Sequence, residues 1–108
     1  TKDWTWIRDY IDVNDLINWH IKAYNFLEKK DKWLFETFNL WTWKWISVLE
    51  MIKIVKKITW KEIKYNIIWR REWDLAKVYC DNKKASEIFW FKCKVWVKES
   101  VKNSLKFI

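Results

Sequence analysis

Apolar and polar residues alternate along Ile7-Arg-Asp-Tyr-Ile-Asp-Val13, and a period of two predicts an extended segment with Arg8, Tyr10 and Asp12 on one face. The period then changes. From Asn14 to about Lys29 the apolar residues Leu16, Ile17, Ile21, Tyr24 and Leu27 recur at three and four, which predicts an amphipathic helix starting near Asn14 or Asp15. After a charged turn over 29–33, Leu34 to Leu40 reads as a short strand. Ser47-Val-Leu-Glu50 is a serine-to-glutamate capping box, so a helix is expected from about Val48 to Ile58. Glu62 to Ile68 alternates as a strand, and Tyr79-Cys80-Asp81 reads as short and extended. Asp81 is placed to cap a helix over Asn82 to Phe89, and Val97 to Phe107 forms a last amphipathic helix. Alternation of strand and helix gives an α/β or α+β class, with no internal repeat and no flexible linker.

Composition narrows this picture. A chain of 108 residues is one domain or part of one, and no apolar run approaches a membrane span. The start has no signal-peptide pattern, and Cys80 and Cys93 lack metal or redox spacing, which suggests free thiols in a cytoplasmic protein. The net charge of +8 comes from lysines spread over nearly every segment, a pattern of solubility more than of nucleic-acid binding. His20 lies within the apolar stripe of the first helix without a cysteine or carboxylate at ligand spacing. It is expected to be a hydrogen-bonded core residue, and no metal site is expected.

One feature of the composition is physically odd: 12 tryptophans, no glycine and no proline. The run Trp41-Thr-Trp-Lys-Trp45 matches neither a helix nor a strand period and stands where a turn is needed, while Trp60 and Trp90 stand at predicted helix ends. Helix ends and turns ordinarily use glycine, because positive φ costs other residues roughly 1–2 kcal/mol each. About ten such positions would consume a whole domain's stability of roughly 5–15 kcal/mol. The expectation is that these tryptophans are glycines misread from TGA codons, which different bacterial codes read as stop, tryptophan or glycine. The bias to lysine, isoleucine and asparagine fits an AT-rich genome, and TGG codons at the tryptophan positions would rule the reading out.

Candidate chemistry concentrates at Arg70-Arg71-Glu72-Trp73-Asp74-Leu75, which holds two of the three arginines, the third being Arg8. Arginine presents a planar fork of donors that grips phosphate oxygens two at a time, and a neighbouring carboxylate can accept from hydroxyls. The cluster therefore reads either as an oxyanion grip or as a solvated charge run in a turn.

Three stretches resemble one family in order and spacing over nearly the whole chain. Asp3-Trp-Thr-Trp-Ile-Arg-Asp-Tyr-Ile-Asp-Val13, followed by Asp15-Leu16 and Trp19-His20, resembles the D-G-T-G-x-R-D-Y-I-H-V segment of the UDP-glucose 4-epimerases, which are extended short-chain dehydrogenase/reductases. Asn39-Leu-Trp-Thr-Trp-Lys-Trp45 with Ser47-Val48 resembles their N-L-G-T-G-x-G-x-S-V, and Arg70-Arg-Glu-Trp-Asp74 their R-R-E-G-D. Tryptophan stands at the family's glycine positions in all three.

The resemblance implies the C-terminal, substrate-binding part of an incomplete Rossmann-type α/β enzyme. Arg8 and Arg71 would contact the diphosphate of a UDP-sugar, Asp74 the ribose, and Tyr10 would lie near the nucleotide-sugar. Arg70 and Glu72 would be structural partners of the grip. Val78 would face the C2 substituent of the sugar as the small residue that admits N-acetylated hexosamines alongside hexoses. Asp12 in place of the family's usual histidine and Trp69 in place of its common proline are departures.

In the family, NAD takes hydride from C4 of the sugar while a tyrosine removes the 4-hydroxyl proton. No G-x-x-G-x-x-G fingerprint follows a first strand and no Y-x-x-x-K pair falls in an appropriate helix, since Tyr24 within the first helix is followed at that spacing by Glu28 and the Trp41–Trp45 loop has the wrong spacing. The 108 residues are thus expected to bind little NAD and catalyse nothing alone. Residues 14–40 are expected to pack on a missing N-terminal NAD-binding domain, a truncated gene would explain the start at Thr1, and the intact enzyme would be a homodimer. The alternative is a basic, tryptophan-rich binder of single-stranded nucleic acid or a designed sequence; neither nucleic acid nor a membrane is expected as partner.

Overall fold

Strand β1 (Ile7–Asp9) lies at the centre of a three-stranded sheet, between β2 (Trp45–Ser47) and β3 (Lys77–Val78). The β1–β2 pair is antiparallel with Arg8 opposite Ile46, and the β1–β3 pair is parallel with Arg8 level with Val78. The structure is a computed structural model and describes residues 1–30, 32–42 and 44–108. Four helices complete it: α1 (Val13–Glu28), α2 (Val48–Thr59), α3 (Lys83–Phe89) and α4 (Val97–Leu105).

The helix starts follow from capping. Asp12 is the N-cap of α1, its Oδ1 accepting from the Asn14 N–H at 2.8 Å, so the helix begins before the expected Asn14 and cuts the extended segment back to Ile7–Asp9. The capping box of α2 is complete: Ser47 Oγ accepts from Glu50 N–H, and Glu50 Oε2 accepts from Ser47 N–H at 2.8 Å. Asp81 Oδ1 accepts from Lys83 N–H at 2.8 Å at the start of α3, with Asn82 as the cap residue. Helices α2 and α3 end on Trp60 (φ 57) and Trp90 (φ 53), both in the left-handed conformation, and α4 ends at Leu105, two residues short of the expected Phe107.

Two expected strands are absent. Leu34–Leu40 and Glu62–Ile68 run as irregular chain, because β2 and β3 occupy both sides of β1 and neither segment pairs with them. Conversely, the turn expected over Trp41–Trp45 gives its last residue to β2, while Trp43 and the Asp31 part of the charged turn lie outside the described residues. The strand near Tyr79 falls at Lys77–Val78 instead.

The buried centre is Ala85, Phe89 and Phe91, against which Trp19, Ala23 and Phe26 of α1 pack together with Phe38 and Leu40. Phe26 meets Phe89 edge to face at 5.0 Å, a favoured aromatic arrangement. The shape is nevertheless extended. The radius of gyration is 17.0 Å, against roughly 13 Å for a compact domain of this length, and the accessible surface of 9446 Å² compares with roughly 6,600 Å² for a compact monomer of this mass. Part of the excess is an apolar strip on α1, where Val13, Ile17, Ile21 and Tyr24 are exposed. Among the described residues, no helix is long and apolar enough to cross a membrane.

Candidate functional site

The site is built where β1, β3 and the 70–74 turn meet. Arg8 projects from the middle of β1, where both neighbouring strands fix its backbone, and its Nη1 donates to Ile7 O at 2.8 Å. Its guanidinium lies 5.6 Å from the centre of the Trp6 ring, and the Arg71 guanidinium lies 5.3 Å from the same ring. Both cations are within cation–π range of it. Arg71 Nε also donates to Asp74 Oδ2 at 3.0 Å, closing a turn in which Trp73 has φ 69. A type II turn demands positive φ at this third position.

Arg8, Arg71 and Asp74 are therefore brought together, and Val78 lies beside Arg8 across the β1–β3 ladder. Tyr10 is elsewhere: it lines a cavity of about 330 Å³ between α2 and α4 with Met51, Val55 and Val101. A larger cavity of about 790 Å³ shares the Trp6 wall with this cluster and is also lined by Trp4, Ile67, Ile68, Trp69 and Arg70, but not by Arg8, Arg71 or Asp74. Two guanidiniums within reach of one ring, with a carboxylate bonded to one of them, can bind an anion attached to a hydroxyl-bearing group.

Four carboxylates of the family-like stretch, Asp3, Asp9, Asp12 and Asp15, take supporting roles that the sequence does not assign them. Buried Asp15 accepts from Lys94 N–H and Val95 N–H at 3.0 and 2.9 Å with one oxygen, pinning α1 to the segment before α4. Asp9 accepts from Cys80 N–H at 3.2 Å, tying β1 to the end of β3. Burial pushes the buried Asp12 carboxyl up, but the polar groups of Ser100, Asn14 and Asn103 around it outweigh that, so its pKa falls below the ordinary value. Asp3 is lowered chiefly by the Ser47 hydroxyl, which donates to its Oδ2. Each of these carboxylates spans elements distant in sequence, and no local pattern marks them. Trp6 stands at one of the family's glycine positions in the same stretch.

Two further expectations can be placed. His20 is hydrogen-bonded, its Nδ1 lying 2.8 Å from Leu16 O, but it is exposed on the helix and not in the core. The cysteines are free: Cys80 Sγ donates to Leu40 O and Cys93 Sγ to Trp41 O, and burial pushes their pKa values up to about 11 and about 12.

No family model matches the chain. Curated relatives do. The UDP-glucose 4-epimerase of Bacillus subtilis is 37% identical, the alignment covering 99% of this chain and 31% of the relative. A UDP-arabinose 4-epimerase of Arabidopsis thaliana is 38% identical over 99% of this chain and 25% of its own length. Among solved structures, the UDP-glucose 4-epimerase of Bifidobacterium longum in complex with NAD+ and UDP superposes with a TM-score of 0.85 at 34% identity, covering 99% of this chain and 31% of that one. The enzyme of Stenotrophomonas maltophila, with NAD and formylated UDP-arabinopyranose, gives 0.88 at 30% identity and the same coverage. The chain spans about a quarter to a third of the length of these relatives.

Proposed function

We propose, for a chain that belongs to the UDP-sugar 4-epimerases of the extended short-chain dehydrogenase/reductase class, that these 108 residues supply the UDP-binding side of a UDP-hexose 4-epimerase. The observation that carries this is the convergence of Arg8 and Arg71 on one ring beside Asp74. A diphosphate needs planar cationic donors on more than one side, and a ribose diol needs a carboxylate acceptor. Arg71 is already aimed by its hydrogen bond to Asp74, which lowers the ordering needed to grip a phosphate oxygen.

The reaction is an isomerisation at C4 of the sugar in which NAD supplies reversible hydride transfer when bound. The residues here bind and orient the nucleotide end, and none of them offers a dinucleotide fingerprint. The catalytic tyrosine and the NAD site therefore belong to the remaining two-thirds or more of the enzyme. The extended shape and the exposed α1 strip of Val13, Ile17, Ile21 and Tyr24 support residues 14–40 packing on that NAD-binding part. A homodimer of the intact enzyme and a cytoplasmic setting, consistent with two free thiols, complete the reading.

The test is a UDP titration followed by side-chain NMR of the arginines. Shifts at Arg8 and Arg71 that saturate, with the third arginine Arg70 moving less, are the expected result. Absence of any UDP-dependent shift at either residue would remove the reading.

A further inference from the structure

We propose that the residue the cell places at positions 4, 6, 60, 73 and 90 is glycine, and that glycine at position 6 is what opens the Arg8–Arg71 pair to a diphosphate. The second half rests on the UDP reading above; the first does not. Among the described residues, those with positive φ are Trp4 (63°), Trp60 (57°), Trp73 (69°) and Trp90 (53°), and each is a tryptophan in a chain without a single glycine. An L-residue with a bulky side chain is strained there. Burial of the indole could offset such strain, but all four are at least 86% exposed. Nothing in the packing calls for an indole at these sites, whereas the helix ends at Trp60 and Trp90 and the turn at Trp73 call for a residue without Cβ.

Position 6 has a different conflict. Its backbone carbonyl accepts from Val48 N–H at 3.0 Å and would do so with any side chain. Its ring lies within 5.6 Å of both guanidiniums, so a phosphate that bridges the pair competes with the ring for them. Glycine there leaves the backbone bond in place and removes the ring from both guanidiniums, while Arg8 stays bonded to Ile7 O and Arg71 to Asp74 Oδ2. A single cause, UGA codons decoded as glycine, accounts for the four strained positions and the obstructed one.

Peptide mapping by mass spectrometry of the protein isolated from the cell that makes it tests the first half. Peptides carrying glycine at these positions are expected, and tryptophan at any of 4, 60, 73 or 90 overturns it. Recombinant chains provide the physical counterpart. A chain with Trp→Gly at 4, 60, 73 and 90 is expected to melt higher than the tryptophan chain, and a lower melting point would overturn the claim of strain. Adding Trp6→Gly to that stabilised chain is expected to tighten UDP about tenfold, the worth of one charge-assisted hydrogen bond regained. Equal UDP affinity with and without the indole overturns the role of position 6 while leaving the UDP reading intact. No UDP binding by either chain removes that reading and the role of position 6 with it.

Discussion

Arg8 and Arg71 hold their guanidiniums over the same indole, at 5.6 and 5.3 Å from its centre, although one belongs to the central strand and the other to a turn far along the chain. The Arg71 side chain is 74% exposed, so its ion pair with Asp74 is screened and adds little to stability. Arg71→Lys is therefore expected to leave the unfolding free energy within about 0.5 kcal/mol of the parent and to weaken UDP about tenfold, since an ammonium has no fork. Calorimetric titration alongside urea denaturation separates the two effects.

Ser47 has two duties, as cap of α2 and as donor to Asp3. Ser47→Ala removes both, and a loss of about 1–2 kcal/mol is expected. Glu50→Gln keeps an acceptor for the Ser47 N–H and should cost less. The order of the two urea midpoints checks this.

Acid should loosen the helix junctions. The folded-state pKa values of Asp3 and Asp12 lie below their ordinary values, so protons bind the unfolded chain first as pH falls. Their stabilising contribution is complete above about pH 4 and is lost as pH drops through the folded-state values. Asp12→Asn, which retains an N-cap acceptor, should flatten this acid limb in a series of melting curves from neutral pH downward.

The two thiols are expected to resist alkylation while the chain is folded. With the Cys80 pKa raised to about 11, its thiolate fraction near neutral pH falls about a hundredfold below that of an ordinary cysteine, and Cys93 is suppressed further. Because these folded-state values lie above the unfolded ones, the thiols' contribution to stability persists at neutral pH and is lost as pH rises through the folded-state values. Iodoacetamide labelling with and without urea reads the difference, and fast labelling of the folded chain would contradict the burial of these side chains.

Val78 is level with Arg8 on the adjoining strand and presents little bulk. In the full-length enzyme, turnover of UDP-N-acetylglucosamine alongside UDP-glucose is expected, and Val78→Tyr should abolish the former while sparing the latter. Failure of the parent enzyme to act on the N-acetylated sugar would discard this assignment.

What could be read from residues alone divides along the range of the interactions. The α2 start was legible because Ser47 and Glu50 carry the whole device within one turn, and the helical stripe of α1 was legible for the same reason. Its first residue differs from the expected one because Asp12 can serve an extended strand or a cap, and here its Oδ1 accepts from Asn14 N–H while Ser100 and Asn103 of α4 bond to it as well. The segments 34–40 and 62–68 alternate convincingly, yet a strand exists only with a partner, and both flanks of β1 were taken. Arginine and aspartate types picked out Arg71 and Asp74, whose bond is local. The meeting of Arg71 with Arg8 at Trp6, the Asp15 grip on Lys94 and Val95, and the departure of Tyr10 to the α2–α4 cavity depend on tertiary proximity that no spacing encodes.

The order of the sheet also dictates a timetable for synthesis. The central strand is made first, and both of its partners lie downstream, the antiparallel one at Trp45–Ser47 and the parallel one at Lys77–Val78. On a ribosome, β1 can acquire one neighbour early, but its other edge must wait until some seventy further residues have emerged, a long loop closure that slows pairing. During that interval Arg8 has no Arg71 to meet. The Arg8–Arg71 contact therefore becomes available only after α1 and α2 have been made, and before α3 and α4 emerge.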